Sequence, residues 1–221
     1  MQVTSLHEKF DALHRRHGAA TLCSIYGAGL AHRPAAMLVF MNPTGRNISA
    51  HPAWHGLRAP WLGTKDVWPM FAALGFLNPA LVEEIRRAKS ADWTDRFGRT
   101  LYRDLAAHSV FVTNLAKCTQ VDARPLPDRI FRDYLELFQE EVLTVRPRRI
   151  ITFGNQVSSV LLGRPVRVSA YRGAQSEKLI VSGETFAVYP VYYPVGQGKR
   201  NMPAAIRRIK KIMGKAAVPK E

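Results

Sequence analysis

The chain reads as an α/β protein, a three-layer α/β/α sandwich with a central, mainly parallel four-stranded sheet. Two observations carry that reading. Short apolar runs rich in β-branched residues recur at 36–41, 109–113, 149–153 and 186–191, as in strands buried on both faces. Helical patterns separate them, as the crossovers of a parallel sheet require.

The elements follow in order. Residues 5–17 read as a helix. The strand over 36–41 runs into Asn42-Pro43-Thr44-Gly45, a turn-forming sequence. Residues 46–63, rich in His, Trp, Pro and Gly, read as loop, and 66–74 and 79–88 as helices. The strand over 109–113 also stops at an Asn. Residues 127–144 read as one long amphipathic helix, with Ile130, Tyr134, Leu137, Phe138 and Val142 on one side. The strand over 149–153 is broken by Gly154, and a helix follows over 155–162. A short hairpin fits 178–188. The last strand, 186–191, leads through a Pro/Gly loop into a basic helix over 202–213. There Ile206, Ile209 and Ile212 form an ordinary core-facing stripe.

A chain of 221 residues without internal repeats fits one domain, read here as residues 1–221. No apolar run reaches the roughly 18–20 residues that a membrane span needs. The N-terminus lacks the apolar stretch of a secretory signal. With Cys23 and Cys118 as its two cysteines, the sequence offers no disulfide framework. A cytoplasmic setting is the simplest expectation. Thirty-two Lys and Arg against seventeen Asp and Glu give a net charge of +15 and a pI near 10.3. A field of that sign attracts polyanions, nucleic acid above all.

Ligands of open α/β sheets bind beyond the carboxyl ends of the strands. The segments there are 42–45, 114–118 and 192–200, and they are expected to converge on one edge.

Phe40-Met41-Asn42-Pro43-Thr44, Ala59-Pro60-Trp61-Leu62-Gly63, Val112 to Cys118, and Arg146-Pro147 through Tyr192-Tyr193-Pro194 stand in that order along the chain. Together, over about residues 35–212, they resemble the uracil-DNA glycosylase superfamily. Phe40-Met41-Asn42-Pro43-Thr44 is similar to the first motif, in its Asn-Pro form. Ala59-Pro60-Trp61-Leu62-Gly63 is similar to the segment holding the aromatic that stacks on the flipped base. Val112-Thr113-Asn114-Leu115-Ala116-Lys117-Cys118 resembles the strand end that reads the pyrimidine in the iron–sulfur branch, often called family 4. Arg146-Pro147, Gly154 to Gly163 and Tyr192-Tyr193-Pro194 follow that branch's layout.

The resemblance implies a monofunctional DNA N-glycosylase. Such an enzyme flips a base out of the stack, hydrolyses its glycosidic bond and leaves an abasic site. Asn42 would position the attacking water; its plainer reading is a turn before Pro43. Asn114 would read the base edge with one donor and one acceptor, suiting uracil in one amide orientation and cytosine in the other. Trp61 would stack on the base, in competition with Trp54, Trp68 and Trp93 as a merely packed aromatic. Met41 and Pro43 would complete the base pocket, and backbone N–H groups around Met41 to Gly45 would hold the leaving oxygen. The motif's usual first Gly is replaced by Phe40, which is also readable as the last strand residue. Tyr193 stands where most branches carry a His that donates to the leaving base. Either the phenol substitutes, or another donor such as His51 or His55 does, or the base leaves more easily. Val195-Gly196-Gln197-Gly198-Lys199-Arg200 fits a loop that meets the DNA. Arg46, Arg58, Lys65, Lys117 and Asn155, with Lys199 and Arg200, are the candidate phosphate contacts.

An iron–sulfur cluster needs four Cys. Only Cys118 falls where a ligand is expected, Phe131 stands near the later position, and Cys23 is alone. No cofactor and no metal are expected. The partner is single- or double-stranded DNA, with no membrane, and the chain is expected to act as a monomer. Three readings of function follow: removal of uracil or a related deaminated base, removal of a modified pyrimidine such as glucosylated hydroxymethylcytosine from phage DNA, and a catalytically weak DNA-binding module.

Overall fold

A computed structural model describes residues 3–214. The expected buried runs become β2 (Ala36–Phe40), β3 (Val110–Asn114), β4 (Ile150–Phe153) and β6 (Glu184–Val191). They pair in parallel, β3 beside β2, β2 beside β4 and β4 beside β6. The sheet is nevertheless six-stranded and mixed, which corrects the expected four strands. Two antiparallel strands close its edges, β1 (Ala28–Gly29) on β3 and β5 (Glu177–Val181) on β6. β1 has two residues, too few to show a period. β5 and β6 form the hairpin foreseen over 178–188, turned by Ser182 and Gly183, both at positive φ (48° and 81°), as a tight two-residue turn requires.

Helices flank the sheet. Side chains alternate along β2, so that Ala36, Leu38 and Phe40 enter one hydrophobic cluster and Met37 and Val39 the other. On the first face pack α2 (Trp68–Ala73), α3 (Pro79–Arg87), α4 (Asp95–Ala107) and α8 (Met202–Met213). On the second pack α1 (His7–His17), α5 (Asp128–Asp133), α6 (Leu135–Val145) and α7 (Asn155–Leu162). Each buried Leu, Ile, Val or Phe contributes roughly 1.5–3 kcal/mol, and all of β2, β3 and β4 is buried.

The helix expected over 127–144 is two helices. At Tyr134 the backbone N–H turns to the Phe131 carbonyl, 3.2 Å away, which tightens that turn and interrupts the α pattern. Tyr134 itself is fully buried. α4 was not foreseen, although Thr94 caps it by accepting from the Phe97 N–H at 3.2 Å.

The strand order β1-β3-β2-β4-β6-β5 has a direct consequence. From β2 the chain steps outward to β3, then returns past β2 to β4. The crevice beyond the carboxyl ends of β2 and β4 is therefore the switch point at which such sheets bind ligands.

Candidate active site

Phe40 ends β2 and pairs in register with Asn114, which ends β3. Beyond them the two loops stay together. Leu115 N–H donates to the Phe40 carbonyl (2.8 Å), Ala116 N–H to Met41 (3.1 Å), Gln120 N–H to Pro43 (3.1 Å) and Gly45 N–H to Gln120 (2.7 Å). This zipper carries Asn42 to the same edge as Asn114. It also removes the Gly45 N–H from the backbone donors expected to hold a leaving oxygen.

The loop over 46–63 is organised from within. Buried Asn47 donates from Nδ2 to the Ala59 carbonyl (2.8 Å) and accepts from Ser49 Oγ (2.8 Å). Ile48 N–H donates to Leu62 at 2.9 Å, and the Tyr102 hydroxyl donates to the Pro60 carbonyl. These bonds hold Trp61 in a left-handed backbone conformation, φ 68°. That costs a bulky residue on the order of 1–3 kcal/mol and is found where the surroundings over-determine it, commonly at functional sites.

A cavity of about 270 Å³ opens at the switch point. Met41, Asn42, Pro43, Trp61, Asn114 and Tyr193 all line it. They are the six side chains singled out for catalysis and base binding, and four separate stretches of chain supply them. Asn114 is 3% exposed, and its Nδ2 is a buried donor without a hydrogen-bond partner. Trp61 Nε1 is likewise buried and unpartnered. Buried donors are normally paired, and leaving one unmade costs about 1–3 kcal/mol. Both belong to residues that line the cavity. Asn42 Nδ2 donates to the Pro43 carbonyl (3.1 Å), which fixes the amide and leaves Oδ1 as its acceptor.

The aromatic side chains are braced. Phe40 stacks on Phe153 at 4.3 Å and meets the Trp61 ring edge-on at 4.9 Å and the Tyr193 ring at 6.4 Å. Phe40 is 1% exposed, a core residue rather than part of the cavity wall. Trp68 and Trp93 are buried in the core, and neither they nor Trp54 reach this cavity. Burial pushes the Tyr193 phenol up to about 12, so it is a neutral donor at physiological pH.

The expected phosphate contacts divide. Arg46 lines the cavity and also an adjoining one of about 290 Å³ whose wall includes His51, Lys65 and Lys89. Lys65 is tethered there by donating to the Arg86 carbonyl at 2.7 Å. Lys199 and Arg200 are exposed, in a 3-10 helix over Gly196–Asn201 rather than an open loop. Asn155 opens α7, with Oδ1 accepting from the Val168 N–H at 2.9 Å. Arg58 is half-buried beside Tyr26 and lines neither cavity. Lys117 requires a correction. It is fully buried and ion-paired to Glu141 at 2.7 Å, so it cannot meet a phosphate. The cavity is lined by Tyr193 but by neither His51 nor His55.

Several lining residues had no sequence signal: Asn47, Thr64, Asp66 and Ala123 to Pro125. The isolated bridge between Thr44 and Gln120 brings the last group in, and no local pattern announces a contact so distant in sequence. Among the described residues, no group of three or more His, Cys, Asp or Glu is placed to hold a metal. Burial pushes the Cys118 thiol up.

Fold and site together define an α/β protein with a cavity at the switch point of its sheet, lined by Asn42, Trp61, Asn114 and Tyr193. The chain belongs to the Uracil DNA glycosylase superfamily, which matches residues 60–212. Membership implies a DNA glycosylase-like, hydrolytic function and binding to DNA. Trp61, Asn114 and Tyr193 lie inside the match, whereas Asn42 precedes it and is joined to them by the fold. No curated protein matches the chain.

Proposed function

We propose that the chain is a monofunctional DNA glycosylase that takes a flipped base into the switch-point cavity and hydrolyses its N-glycosidic bond, leaving an abasic site. The observation that carries this is the meeting of Asn42, Trp61, Asn114 and Tyr193 around one cavity, with unpartnered donors on Asn114 and Trp61.

Each group has a task that its chemistry fits. Trp61 stacks on the base, a contact worth about 1–3 kcal/mol. Asn114 Nδ2 donates to an acceptor on the base edge. Tyr193 donates to the base as it leaves with the bonding electrons, when a hydrogen bond to it strengthens. Asn42 Oδ1 accepts a hydrogen from the attacking water and turns its lone pair toward the sugar. Arg46, Lys65, Lys199 and Arg200 contact phosphates, and their charge sets a steep salt dependence.

Uracil or a related deaminated base is the substrate of this reading: an Asn114 amide with Nδ2 toward the base carbonyl and Oδ1 toward the ring N–H matches it, whereas the flipped amide would match cytosine. The test is a panel of oligonucleotides carrying uracil, hypoxanthine, xanthine, 5-hydroxymethyluracil or glucosylated hydroxymethylcytosine, treated with the protein and then with alkali. Strand breaks at uracil or another deaminated base are expected. Breaks only at the glucosylated base would move the substrate to modified phage DNA. No breaks anywhere, with tight salt-sensitive binding, would leave a DNA-binding module without the chemistry.

A further inference from the structure

Asp66 lies between Trp61 and α2 and is one of the residues that line the cavity. Among the described residues of that wall it is the one acid. Asn42 and Asn114 are neutral amides, and Tyr193 is held neutral by burial. The partner of Asp66 is Arg46, at 3.4 Å, with the two side chains 35% and 69% exposed. So long and solvated a pair contributes little. Arg46 also reaches the adjoining basic cavity, where a backbone phosphate would compete for it.

Breaking a glycosidic bond makes the sugar cation-like. The C1′–N bond opens with its electron pair going to the base, and water adds to C1′ through oxygen. One water hydrogen stays on the new hydroxyl and the other proton ends on the base or in solvent. Neither the amide of Asn42 nor the phenol of Tyr193 offers the passing cation a negative charge.

We propose that Asp66 is a catalytic residue that stabilises the cationic sugar electrostatically, forming no bond to it. The assignment rests on the base-excision reading above. Once a bound nucleotide displaces water from the cavity, a carboxylate in its wall acts with weaker screening than in open solvent.

The test compares DNA carrying a pyrrolidine abasic analogue, protonated at the ring, with DNA carrying the neutral tetrahydrofuran analogue. The wild type is expected to bind the cationic analogue at least tenfold tighter. Its overall charge of +15 opposes that preference, so the preference reports a local anion. Asp66→Asn should abolish it with tetrahydrofuran affinity unchanged, and Asp66→Glu should restore part of it. Arg46→Ala should keep it, whereas a role confined to the Arg46 pair would make that variant behave like Asp66→Asn. Equal binding of the two analogues by the wild type, or an undiminished preference in Asp66→Asn, would overturn the assignment. Should the wild type bind neither analogue better than intact DNA, the base-excision reading itself would fall, and this assignment with it.

Discussion

Asn114 owes its position to a buried ion pair. Lys117 Nζ donates to the Asn114 carbonyl (2.5 Å), to Thr113 Oγ1 (2.7 Å) and to Glu141 Oε2 (2.7 Å). Phe10 and Phe138 place their rings 4.8 and 5.4 Å from the ammonium. Burial pulls the Lys117 pKa down, and the Glu141 carboxylate opposes that pull. Removing one partner strands the other charge in the core, at a cost of about 3–5 kcal/mol, whereas replacing both by apolar groups is often neutral. Lys117→Met should therefore lower stability by about that amount in urea denaturation. Lys117→Met with Glu141→Leu should recover most of it while excision stays slow, because the Asn114 carbonyl has lost its donor. A Lys117→Met protein as stable as the wild type would contradict this. The pair was not legible in the sequence. A lysine just beyond a strand reads as a surface cation, and only the packing of α6 against β3 brings Glu141 to it. Asn42, Trp61, Asn114 and Tyr193 were legible because their motifs lie at strand ends, or next to them in a recognisable order.

At the scale of elements, the sequence is most informative where burial is greatest. The four parallel strands, α7 and α8 appear within a residue or two of their expected limits, because continuous apolar runs and sharp Gly or Pro breaks define them. β1 is a pairing without a pattern. The break at Tyr134 depends on a single tightened turn. α4 did leave a trace, the capping Thr94 with Phe97, Leu101 and Leu105 at four-residue steps, in a stretch whose scattered charges obscured it. The turn after Tyr193 depends on one close approach. A Cβ on Gly198 would overlap the Tyr193 carbonyl oxygen, while the Gly198 N–H donates to the Val195 carbonyl at 2.9 Å. Gly198→Ala must push the 3-10 turn away from the cavity, a steric cost of roughly 1–3 kcal/mol. We expect single-turnover excision to fall at least tenfold, together with a lower melting temperature. Wild-type rate and stability would show that the turn tolerates the methyl group and does not fix Tyr193.

Across the whole molecule, charge and topology serve the same task. The excess of 32 basic over 17 acidic residues draws the chain to a polyanion from any side, and long-range attraction of that kind carries no address. The address comes from the sheet, whose strand order opens a cavity at one edge, with Arg46 and Lys65 beside it. No helix among the described residues is long and apolar enough to cross a membrane. The central claim is that this cavity breaks a glycosidic bond with water oriented by Asn42. Single-turnover release of the free base, measured for wild type and Asn42→Ala alongside DNA affinity, tests it most directly. The account predicts base release by the wild type, a loss of at least 100-fold in the variant, and nearly equal affinities. Full activity in Asn42→Ala would contradict it.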